Sequence, residues 1–228
     1  MSFVAAPEPV CYEEDDESPI DLTISARPRN IGDFEVGRVL PAPLRRTVGP
    51  FTFFDHMGPT TLAPGGGLDV RPHPHIGLAT VTYLFEGEIL HRDSLGTEQV
   101  IRPGAINWMT AGSGIVHSER SPSELRAGGP RLHGLQLWVA LPKADEECAP
   151  GFSHHEAKTL PELDDRGVRL RVLAGSAYGS VSPVPASSPL FYVEAQLDTG
   201  ARLELPREHE ERAVYVVSGD VSSGGVPI

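Results

Sequence analysis

The chain holds only two cysteines, Cys11 and Cys148, among its 228 residues. That is too few for a disulfide framework or for a thiolate zinc site. Aromatic residues make up 7% and offer no base-stacking platform. Positive charge is also scarce: 19 Lys and Arg stand against 31 Asp and Glu, a net charge of −12. Nucleic-acid binding needs a basic surface that displaces counterions, so direct contact with nucleic acid is not expected. Docking on an anionic membrane is disfavoured for the same reason. No apolar run reaches the roughly 18 residues of a spanning helix. Residues 1–16 lack the basic start and apolar stretch of a secretory signal. These absences lead to the expectation of an acidic, soluble, cytoplasmic protein.

What is plentiful is punctuation. Gly (24) and Pro (22) together form about a fifth of the chain. Such a composition suits many short strands and turns better than long helices. Short apolar runs predict strands over 78–85, 106–109, 115–117, 135–141, 168–173, 190–195, 202–205 and 213–217. A helical turn is expected over 158–163. The class is therefore all-β, a barrel or sandwich.

A weak internal repeat is present. Tyr83-Leu84-Phe85-Glu86-Gly87-Glu88 resembles Tyr215-Val216-Val217-Ser218-Gly219-Asp220, each a strand running into an acidic-flanked Gly turn. Two copies of one domain follow from it. The boundary falls between Pro142 and Ser188, placed here after residue 145. The expected division is an acidic flexible leader (1–23), a first domain (24–145), and a linker with a second domain (146–228). Residues 13–17 form the acidic block of the leader, a solvated tail or a partner-binding one. Only nine residues follow Gly219, so the second barrel is expected to be incomplete, with strand edges near 213–217 short of a partner.

Two of the nine histidines are separated by one residue, His73 and His75. On a strand this spacing puts both imidazoles on one face, because side chains alternate with period two. His117 and Glu119 repeat the spacing on a second apolar strand. Two such strands facing each other present three imidazoles and one carboxylate to one point. That donor set suits a borderline divalent ion: Fe(II), Mn, Ni, Cu(II) or Zn.

The intervals around these residues carry a family resemblance. Gly67, His73-x-His75, Thr80 and Gly87 are spaced as in the first cupin motif, with Thr80 where most cupins place a glutamate ligand. Gly104, Thr110-x-Gly112 and a late His117 resemble the second motif, with Glu119 following. Moving the carboxylate from the first motif to the second is a feature of the pirin family. Phe54-Asp55-His56-Met57-Gly58-Pro59, His73-Pro74-His75, Trp108-Met109-Thr110-Ala111-Gly112 and His133-Gly134-Leu135-Gln136-Leu137-Trp138-Val139 also resemble pirins. The resemblance runs from about Ile24 to Ile228.

It implies a bicupin, two stacked β-barrels (the double-stranded β-helix), with one metal in the first. It implies iron, most simply Fe(II), held by His73, His75, His117 and Glu119. It implies one of two roles. The first is a quercetinase-type dioxygenase that opens a flavonol ring with O₂; there Glu119, the only carboxylate among the expected ligands, is also the candidate base. The second is a non-enzymatic regulator that binds a protein partner according to the redox state of its iron. The second barrel would lack a metal, with His209-x-Glu211 its only remnant of a ligand pair. His56 is read as an orienting residue or a structural one. His133 and Gln136 are placed within reach of the pocket, Trp108 and Met109 in the packing, and Arg45-Arg46 in solvent.

Overall fold

The computed structural model describes residues 11–13, 18–31 and 34–228. Most of the acidic block, residues 14–17, lies outside them. The chain folds almost entirely into strands. In order these are β1 (Cys11–Glu13), β2 (Leu22–Ile24), β3 (Arg27–Ile31), β4 (Phe34–Leu40), β5 (Phe51–Thr61), β6 (Asp69–His75), β7 (Leu78–Glu86), β8 (Ile89–Asp93) and β9 (Glu98–Ile101). There follow β10 (Ile106–Thr110), β11 (Ile115–Arg120), β12 (Arg131–Ala140), β13 (Gly151–His155), β14 (Glu162–Asp165), β15 (Val168–Ala177), β16 (Ser180–Val181), β17 (Phe191–Leu197), β18 (Ser222–Ser223) and β19 (Val226–Pro227). A four-residue helix, Ser123–Arg126, and a 3₁₀ turn, Ala157–Thr159, are the helical segments among the described residues.

Three sheets form the body. A seven-stranded sheet runs β13-β10-β7-β12-β5-β4-β3, a four-stranded sheet runs β6-β11-β8-β9, and β14-β15-β16 with β17 on β15 makes the third. Their pairings are antiparallel, as short connections demand. Val36, Met57, Leu84 and Leu132 of the large sheet pack against Ile89 and Ile101 of the four-stranded sheet. On its opposite face, Ala79, Val81, Tyr83, Leu135, Leu137 and Val139 meet Leu173 and Ala174 of the third sheet. The large sheet is thus a middle layer. That is why 78–85 reads as a nearly continuous apolar run: a strand covered on both faces needs no polar side.

Gly87 marks a place where a side chain does not fit. Its φ is +87°, and a Cβ there would collide with the carbonyl oxygen of Arg131 at the start of β12. The glycine lets the turn after β7 pass against the neighbouring strand.

Two expected strands are absent from the described residues. Residues 202–205 alternate polar and apolar and 213–217 are a continuous apolar run, but neither takes a strand conformation. A strand is completed by its ladder partners, and among the described residues these segments have none. Tyr215 instead lays its ring on Phe54, with centroids 4.6 Å apart. The helical turn expected over 158–163 is the shorter turn Ala157–Thr159, and β14 begins at Glu162. Within the segment read as leader, Cys11–Glu13 pairs with Leu22–Ile24. Among the described residues no helix is long and apolar enough to cross a membrane.

Candidate metal centre

The centre lies on the inward face of the four-stranded sheet. β11 alternates strictly: Ile115, His117 and Glu119 are buried, Val116 and Arg120 exposed. Antiparallel pairing sets His117 directly opposite His73 on β6 and opposite Asp93 on β8. His73, His75 and His117 come together so that one ligand atom from each lies within 4.8 Å of the others. Their ring centroids are 4.5–5.0 Å apart.

Hydrogen bonds show which nitrogens are free. His73 Nδ1 lies 2.8 Å from the carbonyl oxygen of Arg71. A carbonyl only accepts, so Nδ1 donates and Nε2 keeps its lone pair. His117 is 2% exposed, and its Nε2 is buried with no hydrogen-bond partner. A buried polar atom without a partner costs about 1–3 kcal/mol. Placed in a group of three imidazoles, it is the atom that a divalent ion would satisfy. The donors therefore fit a borderline metal.

Electrostatics keep His75 and His117 neutral. Burial, and then the proximity of His73, pull His75 down to about 4. Burial, followed by the neighbouring imidazoles of His73, His91 and His75, pulls His117 down to about 2. Neutral imidazole is the form that ligates. A stability consequence follows. An unfolded chain protonates these histidines near 6.5, whereas the fold resists it. Protons then bind the unfolded state preferentially as pH falls from 6.5 toward 4, and stability drops across that window. The urea midpoint of the metal-free protein is expected to be lower at pH 5 than at pH 7, and the gap should narrow in His75→Gln. Equal midpoints at both pH values would overturn the neutral assignment.

Glu119 is buried, but its carboxylate lies outside the 4.8 Å group. Burial raises its pKa, while His91, the hydrogen bond from Thr82, and His73 pull the other way. Thr82 Oγ1 is 3.2 Å from Glu119 Oε1 and 2.9 Å from the side-chain amide of Gln136. A hydroxyl has one proton. The atom of Gln136 that it meets is Oε1, so the hydroxyl proton is shared between that oxygen and Glu119 Oε1. Gln136 thus reaches the site, as expected, through Thr82.

His133 does not. It shares the parity of Leu135 and Leu137 and faces the other side of the sheet, where its Nε2 lies 2.8 Å from His56 Nε2. His56 Nδ1 in turn lies 2.7 Å from the Tyr215 hydroxyl. His56 is therefore a structural residue of the layer between sheets. His209-x-Glu211 is no ligand pair: Glu211 pairs with Arg45 at 3.1 Å, and His209 packs on Phe191. Arg45 is consequently not simply solvated. Trp108 and Met109 are buried in the packing as expected.

The residues that sequence reasoning missed are His91 and Asp93. His91 Nε2 is 2.9 Å from Asp93 Oδ2, and its Nδ1 is 3.4 Å from His117 Nδ1. Their i, i+2 spacing on β8 is the same signal that marked the other pairs. Trp138 completes the wall, stacked on Phe53 at 4.3 Å and edge-on to His75 at 5.2 Å.

Stacked antiparallel sheets of this topology, in which the paired strands β6 and β11 bring three imidazoles to one point that could hold a metal ion, define a cupin-type protein. The chain belongs to the pirin family. The family's sequence profile, described as Pirin, matches residues 33–139. A pirin-like protein of Caulobacter vibrioides is 55% identical over 90% of this chain and 72% of its own. A Pseudomonas aeruginosa protein that carries quercetin 2,3-dioxygenase as a provisional name is 43% identical over 89% of this chain and 63% of its own. Among solved structures, a quercetin 2,3-dioxygenase of Acinetobacter baumannii superposes with a TM-score of 0.71 at 41% identity, covering 76% of this chain and 56% of that one. The chain thus spans less than two thirds of the length of some relatives it matches.

Proposed function

We propose that this protein is an iron-dependent dioxygenase that opens the ring of a flavonol with O₂, with Fe(II) held by His73, His75, His117 and Glu119. The observation that carries the reading is the partnerless, buried Nε2 of His117 within a group of three imidazoles. The likeness to a solved quercetin 2,3-dioxygenase supports the substrate class. Bound iron would supply a Lewis acid for the flavonol hydroxyl and a redox-active centre for O₂. The chain's own residues do the rest. Thr82 occupies Glu119 Oε1, which leaves Oε2 to take the hydroxyl proton. Burial raises the affinity of that carboxylate for a proton. Trp138, edge-on to His75, gives the site an aromatic neighbour for a flat substrate.

Oxygen uptake after quercetin is added to iron-loaded protein tests the reading. Uptake is expected only with iron present. No uptake from protein that holds iron stoichiometrically would sink the enzymatic reading and favour an iron-dependent binding protein.

A further inference from the structure

Neutral histidine carries one proton on one of two nitrogens, and only the bare nitrogen can bind a metal. His73 has its tautomer fixed by its own backbone, through Arg71. His117 has no backbone partner for either ring nitrogen. Its Nε2 is partnerless, and its Nδ1 faces His91.

We propose that Asp93 and His91 form a positioning relay that sets the tautomer of His117. The side chain of Asp93 is fully buried. Its Oδ1 accepts the backbone amides of Leu95 at 2.9 Å and Thr97 at 3.1 Å. Its Oδ2 faces His91 Nε2 at 2.9 Å. A carboxylate only accepts here, so His91 carries its proton on Nε2. His91 Nδ1 is then a bare lone pair. It faces His117 Nδ1, so His117 carries its proton there. The proton order Asp93, His91, His117 leaves His117 Nε2 bare and turned to the point shared with His73 and His75. Stacking of His91 on Phe152, centroids 4.4 Å apart and rings 23° from parallel, holds the middle ring in place.

This geometry gives each Asp93 oxygen a separate duty, and that makes the relay testable. The inference rests on His117 being a metal ligand, yet the tautomer itself can be read without metal. In Asp93→Asn, the amide oxygen keeps the two backbone amides at Oδ1. Its NH₂ takes the place of Oδ2 and donates to His91 Nε2. His91 must then carry its proton on Nδ1, and His117 is driven to carry its own on Nε2. Outer partners of ligating histidines are worth about 10–100-fold in metal affinity, and a loss of that size is expected.

Two measurements decide. Long-range ¹H–¹⁵N correlation on metal-free protein should place the His117 proton on Nδ1 in the wild type and on Nε2 in Asp93→Asn. Chelator competition with Zn(II), a redox-silent probe, should show the loss of about 10–100-fold in Asp93→Asn. It should also show recovery of most of that loss in His91→Gln/Asp93→Asn, because a Gln amide can turn its oxygen to His117 Nδ1. A double variant as weak as Asp93→Asn would mean that the loop after β8, not the tautomer, was damaged, and would overturn the relay. So would a wild-type His117 protonated on Nε2. If the tautomer flips as stated but the wild type binds no Zn(II), the relay stands and the metal reading falls.

Discussion

A His117→Leu variant is expected to bind no iron at concentrations that saturate the wild type, while its metal-free form keeps nearly the same stability. The metal half follows from geometry. His117 sits at the centre of the group, opposite His73 in the ladder and in ring contact with both other imidazoles. Losing an outer partner costs about 10–100-fold, and losing the ligand itself should exceed that. The stability half follows from burial. In the metal-free fold the His117 Nε2 is a buried nitrogen without a partner, which costs about 1–3 kcal/mol. Leucine has a similar volume and removes that cost, against which it forfeits the long contact to His91. Thermal unfolding with and without metal reads both. At about 100 times the dissociation constant, metal should stabilise the wild type by about 2.7 kcal/mol and the variant not at all. A variant that unfolds far below the metal-free wild type would show that His117 is held for packing. A metal-induced shift equal to that of the wild type would remove it from the ligand set.

The three imidazoles are legible in the sequence because strand periodicity is a strong constraint. Once 73–75 and 115–117 are read as strands, i, i+2 spacing leaves no choice of face. The middle layer is legible for a similar reason: only a strand covered on both sides tolerates a run such as 78–85. The position of the Glu119 carboxylate is not legible. β11 alternates strictly and pairs with β8 without a break, so Glu119 shares the inward face with His117; the register shift lies on β6, where Val70 stands opposite Glu119, and it puts the strand that carries His73 and His75 out of step with Glu119. A bulge re-aims side chains and leaves no mark in i, i+2 spacing. His91 escapes notice because β8 is only five residues long and three of them are polar, so no apolar run draws attention to it. Residues 202–205 and 213–217 fail in the opposite sense. They have strand composition, but a ladder needs a neighbour, and β-propensity measures fit to a sheet more than a property of the segment alone. His133 goes to the wrong face although parity with Leu135 and Leu137 is available. Reading β12 as a strand from residue 131 assigns it to the face of Leu135 and Leu137, which meets the third sheet.

Iron-replete Glu119→Gln is expected to turn over flavonol about 10²–10⁴-fold more slowly than the wild type, the usual contribution of a positioned proton acceptor. The substitution keeps the shape of the side chain and an oxygen for Thr82 to bond, so the Thr82 and Gln136 contacts can persist. What it removes is the charge and the basic oxygen. Metal affinity should fall only modestly, because His73, His75 and His117 remain and an amide oxygen still ligates weakly. The position of the carboxylate outside the tight imidazole group agrees with a residue whose larger duty is to the substrate's proton. Restoring full occupancy with excess iron therefore should not restore turnover. His73→Ala is the contrast, since it should lose metal and activity together. Wild-type turnover by iron-replete Glu119→Gln would refute the base assignment and leave Glu119 at most a ligand. Rescue of Glu119→Gln by excess iron would refute it by another route, because the defect would then lie in metal binding alone.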